Sequence, residues 1–197
     1  MKIDPHTALI IVHVQKDFCA GGALAVLQGD EVVPILNQYI EVFLKAGAPI
    51  YATRDWHPFN HCSFKPQGGP WPIHCVQGTP GAQFHPHLAL PKNTVIISSA
   101  YDPRREAYSG FDGTDLASRL TKQGIQEILV GGLATEYCVK STVLDGLKAG
   151  FKVYFLSDAS RAINVKPHDE RKAVEEMVAA GARSLTLDEI LPRLASK

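Results

Sequence analysis

Three stretches of the chain hold residue types able to do chemistry: "IIVHVQKDF" (10–18) with His13, "DWHPFNH" (55–61) with Asp55, His57 and His61, and "GGLATEYCV" (131–139) with Cys138. A carboxylate among imidazoles, with His74 of "WPIHC" added, suits one divalent transition metal: zinc first, with iron or manganese as alternatives. Asp55 and His57 are two apart, so in an extended segment both side chains face one side. No fixed motif such as HExxH is present. Because Cys62 and Cys75 flank two of the histidines, a structural zinc site with thiolate ligands stands as a rival reading. His85 and His87 in "FHPHL" read as histidines of a surface loop.

Cys138 follows an apolar run and opens a helical pattern, which places it in a first helical turn. A helix N-terminus stabilises a thiolate, and its unpaired N–H groups can hold an oxyanion. Cys19, Cys62 and Cys75 lack that setting and read as packing or loop residues. His13 is the odd member, an ionisable ring at the carboxyl end of a strand otherwise built for the core.

The elements that must position these residues are legible as short, nearly continuous apolar runs at 8–14, 48–53, 94–98, 127–132 and 152–157. Such runs fit strands covered on both faces. Amphipathic stretches at 32–45, 115–123, 135–149 and 169–180 alternate with them. Alternation of strand and helix predicts a parallel sheet with helices on both faces, whose ligands gather at the carboxyl ends of the strands. The segment 54–91 is long, rich in proline, glycine and histidine, and aperiodic. A loop of that length inside a compact domain points to function.

Length and charge narrow the rest. At 197 residues one α/β domain spanning 1–197 is expected. Basic and acidic residues balance at 20 each, which favours neither nucleic acid nor an anionic membrane surface. No apolar run approaches the roughly 20 residues of a membrane span. The opening "MKIDPHTA" does not read as a secretory leader, and four cysteines do not make a disulfide scaffold. We expect free thiols and a cytoplasmic location. The oligomeric state stays open, a homo-oligomer included.

Taken together, "QKDF", "GGAL", "TRDWHP", "GGPWPIHCVQGTPGA", "DPRREAYSGFDGTDL" and "ATEYCV" resemble the nicotinamidases, or pyrazinamidases, of the isochorismatase-like cysteine hydrolase superfamily. The resemblance runs from "ALIIV" to about "EEM". It implies a three-layer α/β/α, Rossmann-like fold with a six-stranded parallel sheet, and a small amide such as nicotinamide as substrate. It further implies Cys138 as nucleophile, the N–H groups of Ala134 and Cys138 as oxyanion hole, and a cis Leu133–Ala134 peptide. Asp55, His57 and His74 match the family's metal ligands, with His61 additional or weaker. Phe18 and Trp71 match the aromatic walls of its pocket.

Two positions depart from that pattern. Where the family has a catalytic aspartate ("IVDxQ") this chain has His13. Counting back from Asp102-Pro103, the family's catalytic lysine becomes Ser99, or Ser98 if the gap moves by one. Losing the acid alone would strand a buried ammonium at several kcal/mol, whereas losing both removes the pair cleanly. His13 can then serve as general base to Cys138 with Ser99 orienting it, as an added metal ligand, or as a hydrogen-bonded core residue. A site that binds a nicotinamide-like ring without turning it over is the remaining alternative.

Overall fold

The computed structural model describes Met1 and residues 3–191. Six parallel strands form one sheet: β1 Thr7–Val12, β2 Ile50–Asp55, β3 Val95–Ser99, β4 Glu127–Leu133, β5 Lys152–Arg161 and β6 Arg183–Leu185, ordered β3-β2-β1-β4-β5-β6. The order reverses between β2–β1 and β4, so β1 lies at the centre and its carboxyl end opens onto the switch point.

Alternating side chains of β1 feed two separate cores. Leu9 and Ile11 join the face covered by α1 (Val32–Ala46), among Leu36, Tyr39, Ile40 and Phe43. Ala8, Ile10 and Val12 join the opposite face, covered by α2 (Leu116–Lys122), α3 (Lys140–Lys148) and α4 (Asp169–Ala179) through Leu120, Val143 and Met177. Each fully buried aliphatic side chain contributes about 1.5–3 kcal/mol, which is why unbroken apolar runs select a strand covered on both sides. α1 ends where Gly47 adopts a left-handed φ of 66° and its N–H returns to the Leu44 carbonyl, as the "KAG" stop anticipates.

Three features are not visible in the pattern of apolar runs, the first being the sixth strand that the family resemblance implies. β6 is three residues long with two of them exposed, too short and polar to register as an apolar run. Thr135–Val139 forms a π-helical turn, and regular helix begins only at Lys140. The third is an irregularity in β4, whose pairing with β5 shifts between Val130 and Gly132. At Gly132 φ is 130°, and a Cβ would lie 2.1 Å from the Val12 carbonyl oxygen. Glycine is therefore required where β4 crosses the end of β1, immediately before His13. Among the described residues no helix is long and apolar enough to cross a membrane.

Candidate active site

β1 delivers His13 one residue beyond its last strand position, fully buried and with a left-handed φ of 48°. A non-glycine residue held there costs about 1–3 kcal/mol, so its surroundings must enforce it. Its N–H donates to the Thr53 carbonyl at 3.2 Å, and its carbonyl accepts from Gln15 N–H at 2.8 Å. Gln15 is buried and clamps the next strand. Its Nε2 donates to the Asp55 and Ala82 carbonyls at 2.9 Å each, and its Oε1 accepts from Asp55 N–H at 2.8 Å. The turn after β1 thus fixes the end of β2, where Asp55 stands.

Asp55 divides its two oxygens. Oδ1 lies 3.5 Å from His13 Nδ1, while Oδ2 lies 3.5 Å from His57 Nε2 and 3.9 Å from His74 Nε2. The two histidine segments are tied to each other, since His57 N–H donates to the Cys75 carbonyl and Gln77 N–H to the His57 carbonyl. Burial pushes the Asp55 carboxyl upward, but the imidazoles of His13, His57 and His74 outweigh it and hold the carboxyl below the usual range. Burial pushes His13 and His74 downward despite the same carboxylate.

Asp55, His57 and His74 form one metal-capable group, their donor atoms all within 4.8 Å of one another. The donor chemistry fits a cation. His74 Nδ1 hydrogen-bonds the Pro72 carbonyl at 2.8 Å, so in the neutral ring Nε2 presents a lone pair to Asp55 Oδ2. Both ring nitrogens of His57 are buried without a hydrogen-bond partner. His61 is not brought into this group. Its ring lies tilted against that of His57 with centroids 4.3 Å apart, but Nδ1 meets Ser63 Oγ at 2.7 Å and Nε2 meets the Arg105 carbonyl at 3.0 Å. Cys62 and Cys75 belong to none of the metal-capable groups among the described residues, so the thiolate-zinc alternative finds no support.

His13, Asp55 and Cys138 form a second such group at the same 4.8 Å limit, with the Cys138 side of the site supplied by the π-helical turn. Of the two candidate serines, Ser99 is the one beside His13, its Oγ 3.4 Å from Nε2. Ser98 Oγ instead accepts from Arg54 Nε at 2.9 Å. A helix start should lower the Cys138 thiol. Here burial pushes it well above its ordinary value, helped by the carboxylates of Asp55, Glu106 and Glu136, so in this state the pair is thiol and neutral imidazole. The peptide Leu133–Ala134 is cis.

A cavity lies beside these groups, with Cys138, Ala134, Asp55, His57 and His74 on its lining and Phe18 and Trp71 among its walls, while His13 and Ser99 are not on the lining. Sequence reasoning missed Tyr108, Tyr137, Glu106 and Ser63, which also line it. Trp71 Nε1 donates to Tyr108 Oη at 3.0 Å, and Tyr137 packs edge-on to Trp71 at 5.1 Å. Tyr137 adjoins Cys138 and Ser63 lies two residues after His61, so chain proximity to residues already singled out was the available signal for those two.

Known proteins share this architecture. The isochorismatase domain family matches residues 7–189. The crystal structure of a pyrazinamidase of Pyrococcus horikoshii in complex with zinc is 54% identical with a TM-score of 0.89, covering 93% of this chain and all of that one. A nicotinamidase of Escherichia coli (strain K12) is 41% identical over 93% of this chain and 96% of its own length. PnC1 from L. infantum, crystallised with nicotinate, is 34% identical with a TM-score of 0.87, covering 94% of this chain and 96% of its own.

Proposed function

This chain belongs to the isochorismatase family, and we propose that it is a nicotinamidase-like cysteine amidohydrolase cleaving the C–N bond of a small heteroaromatic amide. The observation that carries this reading is that Cys138 and Asp55 line one aromatic-walled cavity with His57 and His74, while the buried His13 lies within 4.8 Å of donor atoms of both Cys138 and Asp55. The relatives' substrates and the nicotinate held by the L. infantum protein support the substrate class.

The amide ring enters between Phe18 and Trp71, and its carbonyl carbon faces Cys138 Sγ. His13 takes the thiol proton as sulfur attacks, so the thiolate forms only as the C–S bond does. That order suits a thiol held protonated in the resting site. The oxyanion of the tetrahedral intermediate is held by the Ala134 and Cys138 N–H groups. The C–N bond then breaks, and the proton on His13 passes to the departing amine, which leaves as ammonia. Water, deprotonated by His13, attacks the thioester and restores the thiol with release of the carboxylic acid. Ser99 orients the imidazole through Nε2. Asp55, His57 and His74 would hold a divalent metal, and the Pyrococcus relative is a complex with zinc; such an ion would supply a Lewis acid for the ring nitrogen of the substrate.

Ammonia release from nicotinamide and pyrazinamide, measured with and without added zinc, manganese or iron, tests this reading against Cys138→Ala. Turnover that disappears in the variant is expected. Calorimetric binding of nicotinamide with no turnover at any metal would replace it with a binding protein.

A further inference from the structure

A second set of donor side chains lies outside the cavity, where the turn after β1, the turn before α1 and the end of the 54–91 loop meet. Cys19 Sγ, a carboxylate oxygen of Asp30 and a ring nitrogen of His85 all lie within 4.8 Å of one another. Asp30 is already oriented: Oδ2 accepts from Ala20 N–H at 2.9 Å, and Oδ1 lies 3.3 Å from His85 Nε2. The Cys19 sulfur faces the same carboxylate, within 4.8 Å of one of its oxygens. Cys19 is buried, Asp30 and His85 are partly exposed, and all three border one surface groove. Lys16 also borders that groove, but its ammonium is engaged by Gln83 Oε1 at 2.7 Å.

We propose that Cys19, Asp30 and His85 form a second divalent-metal site, for zinc by its donor set, with water from the groove in the fourth position. Zinc accepts sulfur, nitrogen and oxygen ligands together in a tetrahedral shell, whereas magnesium and calcium require oxygen alone. Cys19 and Asp30 both lie between β1 and α1 and His85 comes from the 54–91 loop, so the ion joins that loop to the turns before α1. The cluster is otherwise an awkward one. The buried Cys19 sulfur and the His85 ring both face the single Asp30 carboxylate. Metal binding forms the metal–sulfur bond and releases the thiol proton to solvent. His85 Nδ1 accepts a long bond of 3.3 Å from His87 N–H. Coordination through Nε2 moves the ring proton to Nδ1 and gives up that contact.

Metal content per chain after zinc loading and desalting, compared between the unmodified protein and Cys19→Ser, tests the site. The unmodified protein should retain one further equivalent. Because the readout is a difference, it stands apart from whether the Asp55 group holds its own ion and from any result on amide hydrolysis. Cobalt substitution provides the second arm. In a Cys138→Ala background a thiolate-to-cobalt charge-transfer band should appear in the near-ultraviolet, vanish on adding Cys19→Ser, and weaken with His85→Gln, a partly exposed position whose replacement the fold accommodates. Equal metal retention by the two proteins, or a band that survives both replacements, overturns the site.

Discussion

His13 and Asp55 face each other across the ends of two adjacent parallel strands, Nδ1 3.5 Å from Oδ1, both buried. The other oxygen of Asp55 faces His57 and His74. One carboxylate therefore couples the imidazole beside the thiol to the group able to hold a metal, and the left-handed backbone at His13 is what aims the ring at it.

Removing the imidazole should slow the chemical step more than binding. For His13→Gln we expect kcat for nicotinamide to fall by about 10²–10⁴, the range a positioned general base supplies, with KM little changed. Steady-state kinetics on the metal-loaded protein decide it. A loss confined to KM would assign His13 to packing or binding.

His13→Asp alone should be strongly destabilising, because it sets a second buried carboxylate beside Asp55 with no ammonium to offset it. Adding Ser99→Lys, at the position whose Oγ lies 3.4 Å from His13 Nε2, should recover most of the lost stability and raise amidase activity. A thermal-melt double-mutant cycle measures the coupling. Additive losses would show that positions 13 and 99 do not act as a pair.

Much of this arrangement was legible in the chain because it is built from long apolar runs, whose burial on both faces leaves little choice of structure. Cys138 could be placed at a strand end from its neighbours alone. What escaped depends on contacts between distant segments. Gln15 is polar and unremarkable in sequence, yet it joins β1's end to β2 and to Ala82. The spacing of His61 resembles that of a ligand, while its nitrogen partners, Ser63 and Arg105, appear only in three dimensions. Cys19 and His85, read singly as packing and surface residues, meet at Asp30 for the same reason. A π-helical turn and an α-helical one share nearly the same apolar spacing, so the step at Val139–Lys140 left no trace in the pattern.

Glu136, two residues before Cys138, gives a pH dependence to stability. Burial raises its carboxyl above the usual range, although Oε1 accepts from Asn164 N–H, and Oε2 is buried without a partner. A carboxyl with a raised folded-state pKa binds its proton more tightly in the folded protein. Its contribution is fully present below the unfolded pKa of about 4.3 and is lost as pH rises through the folded value. Glu136→Gln removes that dependence while keeping an acceptor for Asn164. The melting temperature of the variant relative to the unmodified protein should therefore increase as pH rises from acid toward neutrality, then level off. A difference that shrinks with rising pH would mean the carboxylate is stabilised in the fold.

Metal content distinguishes the two histidines that sequence spacing treats alike. His57 has both ring nitrogens free of hydrogen bonds and points Nε2 at Asp55, whereas His61 has both nitrogens engaged. His57→Ala should lose the ion outright, because only one carboxylate and one imidazole remain. His61→Ala should keep it, with affinity reduced by about 10–100-fold at most, the usual cost of disturbing a residue that braces the ligands instead of binding the ion. The bracing is specific here, since His61 links Ser63 on the cavity wall to the Arg105 carbonyl beside Glu106. Zinc titration by competition with a chromophoric chelator measures both constants. Should His61→Ala be as metal-poor as His57→Ala, the ring must leave Ser63 and Arg105 to enter the coordination shell, and the division of roles drawn from their partners would be wrong.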